Sequence, residues 1–138
     1  MELIVALAIA LDCMAVALPS FLSLLPTLRL SSAARQVATD LQVARMKAIS
    51  RNTLNTVTFN VANGSYTFTI GSESRSLVQL YPGITIASVS PAVNPAFTPR
   101  GTSNNSGTIT ITLSNGSAQK RVCVKTVGQI AIQDSICT

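Results

Sequence analysis

Histidine is absent from the chain. Its absence removes histidine general-base catalysis, Ser-His-Asp triads and histidine-containing zinc sites. The five carboxylates, Glu2, Asp12, Asp40, Glu73 and Asp134, are scattered along the chain and form no close pair in sequence. Gly-rich phosphate loops, GxSxG elbows and metalloprotease helices are missing too. The residue chemistry therefore predicts a non-enzymatic protein with no cofactor, no metal and no small-molecule substrate.

Two other groups of residues remain. Cys13 lies in an apolar run and reads as a small buried residue, whereas Cys123 and Cys137 lie near the end of the chain and are either a bridge or two free thiols. Ten basic residues against five acidic ones give a formal charge of +5. Arg121, Cys123 and Lys125 alternate, so they share one face of a strand, with Lys120 beside the preceding turn. Such a cluster is a candidate for weak, salt-sensitive contact with DNA phosphates, or is a solvated strand face.

The elements that carry these residues follow from periodicity in a single chain of 138 residues, of which 47% are hydrophobic and only 11% charged. From Leu3 to Leu28 the only charge is Asp12, and the run is long enough to cross a bilayer as a helix. It exceeds a signal-peptide core and has no basic residue before it. Downstream, Ala34, Val37, Leu41, Ala44 and Ala48 recur at spacings of three and four, predicting an amphipathic helix over residues 31–54, with Ser31 or Ser32 as its cap if it restarts after Pro26. Arg35, Arg45, Lys47 and Arg51 fall mostly off that stripe and read as a solvated face.

After Asn52 the period changes to two. Val57, Phe59 and Val61 face Tyr66, Phe68 and Ile70 across an Asn63-Gly64 turn. Further strands are predicted over Ser76–Leu80 and Ile84–Val89, then a Pro-rich loop over residues 90–107 pinned by Phe97. A second hairpin places Ile109, Ile111 and Leu113 on one face, turns at Asn115-Gly116 and returns over Gln119–Thr126, before a last strand near Gln129–Ile132. The sum is an α+β fold, one long helix packed on an antiparallel sheet of about six strands.

The segment Met1-Glu2-Leu3-Ile4-Val5-Ala6-Leu7-Ala8-Ile9 resembles the start of type IV pilins and type II secretion pseudopilins, where a glutamate opens a hydrophobic helix. Pro19, 17 residues after Glu2, matches that family's helix-kinking proline, and Asp40-Leu41, Ala44-Arg45, Ala48-Ile49 and Arg51-Asn52 resemble the amphipathic helix of the GspH/FimT branch. The family has a basic leader and a processing-site glycine ahead of its glutamate, where this sequence starts at Met1. The resemblance implies an inner-membrane helix over residues 1–28, a periplasmic domain over residues 29–138, and assembly with other subunits through Glu2 and Pro19. It also implies a Cys123–Cys137 disulfide. Some members of this branch bind DNA through a Gly-Arg pair after the basic strand; here the dipeptide is Gly128-Gln129, so only Lys120, Arg121 and Lys125 remain for such a contact. A membrane-anchored domain with no filament role is the third reading of the same residues.

Overall fold

The computed structural model describes residues 2–137; in its first helix the side chains of residues 10–12 and 14–23 lie outside that description. Helix α1 runs unbroken over Glu2–Ser50. The expected restart after Pro26 does not occur, and Ser31 and Ser32 are mid-helix rather than caps. A proline removes one hydrogen bond of the helical ladder, a loss that the flanking turns can carry. The helix stops at Ser50, short of the predicted residue 54, because Asn52 takes a left-handed conformation with φ 50°. Its N–H bonds the Ile49 carbonyl at 3.3 Å and the Thr53 N–H bonds Ala48 at 3.1 Å, the paired bonds of a Schellman end.

The rest of the chain forms β1 (Asn55–Asn60), β2 (Ser65–Phe68), β3 (Ser74–Ser76), the one-turn α2 (Leu77–Leu80), β4 (Thr85–Ser90), β5 (Ala96–Phe97), β6 (Ile109–Ser114), β7 (Gln119–Val124) and β8 (Ile130–Gln133). These strands make two antiparallel four-stranded sheets, ordered β3-β2-β1-β5 and β4-β6-β7-β8. Both expected hairpins are present, with Phe59 opposite Tyr66 and Ile111 opposite Val122. Two expectations fail locally. Ser76–Leu80 is not a strand, since the Ser76 hydroxyl accepts the Gln79 N–H at 3.4 Å and starts α2. Within the Pro-rich loop, Ala96 and Phe97 pair with Thr56 and Asn55 as a short edge strand.

The helical stripe read from the sequence is the floor of the core. Ala34, Val37, Ala44 and Ala48 are fully buried, as is Leu41 but for 1% of its surface. Alanines on that face let the sheets approach the helix axis closely, so β1, β7 and β8 all contact α1. Above them lie Val57, Tyr66, Phe97, Ile111, Leu113 and Val124. Phe97 is fully buried, as its predicted pinning role requires. A bulge between Ile86 and Ser88 explains why β4 does not alternate cleanly between core and solvent.

Candidate functional site

The start of α1 is exposed in the single chain. Glu2 occupies its first turn, and Leu3, Ile4, Leu7 and Ile9 are between 59% and 84% exposed. A carboxylate in the first helical turn faces the positive end of the helix dipole and four unpaired N–H groups. Cys13, expected to be buried, is exposed, because none of the described residues packs over it. The side chains of Asp12 and Pro19 lie outside the described residues. Among the described residues, no helix is long and apolar enough to cross a membrane.

The second half of α1 is bonded to the sheets by side chains whose roles the sequence did not disclose. Asn55 is fully buried; its Nδ2 donates to the Ala44 carbonyl at 2.9 Å, and its Oδ1 accepts the Ile70 N–H at 3.0 Å. Asp40 is 5% exposed and accepts from the Tyr66 hydroxyl at 2.5 Å and from Gln36 Nε2 at 3.1 Å, with Arg75 Nε at 3.5 Å. Burial, and after it the bond to Asp40, pushes the Tyr66 phenol far above its ordinary value. This set of partners ties β2 and β3 to the helix and satisfies the buried Asp40 carboxylate and Asn55 amide.

Two cations expected on a solvated face are likewise engaged. Lys47 pairs with Glu73 at 3.1 Å and lies 5.9 Å from the centre of the Phe68 ring. Arg45 Nε donates to the Gly101 carbonyl at 2.7 Å, across 56 residues of sequence. Gly101 and the β7–β8 turn glycine, Gly128, both have positive φ, and a Cβ on Gly128 would overlap the Gly101 carbonyl oxygen. The contact of Arg45 with this glycine pair joins the helix end, the β5 loop and the β7–β8 turn.

At the C-terminal strands, Cys123 and Cys137 form a disulfide with their Cα atoms 5.7 Å apart. Cys123 lies between the core residues Val122 and Val124 and so projects from the opposite face of β7, where the bridge holds the terminal tail. The β7–β8 register sets Arg121 opposite Gln133, which brings Asp134 alongside Lys120. Lys120 Nζ pairs with the Asp134 carboxylate, and Arg121 Nη1 donates to the Asp134 carbonyl at 2.9 Å. Lys125 is set apart at the tight turn closed by Gly128. Of the three candidate DNA residues, Lys120 and Arg121 are thus neighbours held by the tail, and Lys125 lies at the other end of β7. Among the described residues no group of three or more His, Cys, Asp or Glu could hold a metal ion.

Comparison with known proteins agrees with this architecture. Two crystal forms of the type IV minor pilin FimU from Pseudomonas aeruginosa (strain PAO1) superpose with TM-scores of 0.61 and 0.62 at 18% identity; each alignment covers 75% of this chain, and 92% and 87% of the respective FimU chains. They share its fold, a long helix under antiparallel sheets. A search of curated proteins finds no match. The family model described as type II transport protein GspH matches residues 33–128, from the buried half of α1 to the β7–β8 turn, and on that match the chain belongs to the GspH family.

Proposed function

We propose that this protein is a structural subunit, a minor pilin or pseudopilin, of a type IV pilus or a type II secretion pseudopilus. The observation that carries this reading is the division of α1: its second half is buried beneath its own sheets on one face, while at its start Leu3, Ile4, Leu7 and Ile9 are exposed in the single chain. Residues 1–28 hold the subunit in the bacterial inner membrane until it is extracted, with residues 29–138 in the periplasm. In the filament the same apolar half packs among the helices of neighbouring subunits. That exchange from lipid to protein is driven by helix packing and by partners for Glu2, since lipid is already as apolar as leucine. Glu2, buried in such a bundle, requires a cation, and the N-terminal amine of a neighbouring subunit has the right charge. Glu2→Ala is therefore expected to leave the globular part folded and the subunit in the membrane fraction, but absent from sheared filaments. Normal entry of the variant into filaments would overturn this reading.

DNA capture is the weaker alternative. The Lys120–Asp134 pair and the Arg121 bond to the tail reduce what β7 can offer a phosphate. Fluorescence anisotropy of the full chain across a salt series is expected to show duplex binding at low salt that fades at physiological ionic strength.

A further inference from the structure

The last two turns of α1 and the strand β8 enclose a groove of about 350 Å³. From the helix come Gln42, Arg45, Met46 and Ile49, spaced as one helical face; from the other side come Gly128, Gln129 and Ile130. Met46 and Ile49 are 59% and 47% exposed and line the same groove, so their apolar surfaces are open to a partner there. β8 is the edge of its sheet, paired on one side with β7, so its other side keeps backbone donors and acceptors unpaired within the sheet. Arg45 Nε is fixed on the Gly101 carbonyl, while its two terminal nitrogens have no hydrogen-bond partner among the described residues. A guanidinium held by one nitrogen, with its fork still open, is preorganised for a carboxylate.

We infer that this groove receives a segment of a different protein subunit in which a carboxylate sits beside an apolar side chain, the acid on Arg45 and the apolar group against Met46, Ile49 and Ile130. The charge inventory argues against a second copy of this chain. Among the described residues of the globular part, Asp40 is bonded to Tyr66 and Arg75, Glu73 to Lys47 and Asp134 to Lys120, so an identical neighbour brings no unpaired side-chain carboxylate from those residues. A copy would also bring +5 against +5. Nucleic acid is a poor fit, since the groove offers one cation among apolar side chains where a phosphate chain requires a series of them. The inference rests on the reading of this chain as one subunit among others, and it adds that its neighbour at this face is acidic and not identical.

The test uses the full chain in detergent micelles with methyl-labelled Met and Ile, and two probes, acetyl-Val-Glu-Val-amide and its Gln counterpart. Shifts at Met46, Ile49 and Ile130 are expected, with the Glu peptide binding about tenfold more tightly than the Gln peptide. Arg45→Gln should equalise the two. Because Arg45 also holds Gly101, Met46→Glu serves as the second variant: this exposed position tolerates the change, and its carboxylate should weaken the Glu peptide about tenfold without moving distant resonances. Equal affinity of the two peptides for the wild type, shifts confined to other regions, or shifts with a DNA duplex and none with the Glu peptide would each overturn the inference. Filament entry reads the earlier proposal separately: a chain that assembles yet ignores the Glu peptide loses only this one.

Discussion

Helix α1 has one backbone and two environments. Around Leu3, Ile4 and Leu7 its apolar surface is bare in the single chain, whereas around Val37, Leu41 and Ala44 almost nothing is exposed. The halves differ in residue size as well as burial. The stretch from Leu3 to Leu28 is rich in leucine, a side chain with a large apolar area. The covered half uses alanine, which lets a sheet come close. A helix of 49 residues is about 74 Å long, far more than this small domain needs as a floor. The proposed function assigns folding stability and assembly to separate stretches of this one element, and substitutions should separate them.

The largest loss of stability is expected on the covered side. Gly128→Ala places a methyl group on the Gly101 carbonyl at a positive φ and should cost ~4 kcal/mol, read as a fall in the denaturant midpoint. Leu41→Ala opens a cavity beneath both sheets and should cost ~3 kcal/mol by the same measurement. Cys137→Ser releases a loop of about 15 residues, and by the chain-entropy account should cost up to ~3 kcal/mol; the wild type in reductant should match it.

Tyr66→Phe removes a hydrogen bond to a buried carboxylate, a loss of ~2 kcal/mol. It also has a pH signature. The Tyr66 phenol, raised in the folded state, holds its proton more tightly there than in the unfolded chain. Its contribution is thus complete below about pH 10 and is lost as the pH rises beyond it. The wild type should lose stability above that point more steeply than Tyr66→Phe. Smallest of all is Leu7→Asn, expected to leave the denaturant midpoint of the globular part unchanged while reducing membrane retention and filament entry. A midpoint shift as large as that of Leu41→Ala would erase the division between the two halves.

Much of this arrangement was legible in the residue order. The alanine-rich stripe, the two hairpins with Asn-Gly in their turns and the burial of Phe97 all express local periodicity or turn chemistry, and each is where the pattern put it. What was missed depends on distant partners. Nothing near Arg45 announces Gly101, and nothing near Asn55 announces that its amide will bond both Ala44 and Ile70. Asp40 falls outside the apolar stripe, yet Tyr66 and Arg75 enclose it. The strand expected over Ser76–Leu80 failed for the opposite reason, since one hydroxyl at Ser76 outweighed an apolar pattern too short to be decisive.

The terminal tail has a consequence for how the molecule carries its charge. Asp134 is an internal counterion, supplied by the chain itself and kept in place by a covalent bridge three residues on. A protease that trims the tail before Asp134 would remove that counterion and the bridge together. The remaining molecule would be smaller and more basic, with Lys120 and Arg121 released to solvent. It would elute later from a cation exchanger than the intact chain, which makes the integrity of five residues readable from a single chromatogram.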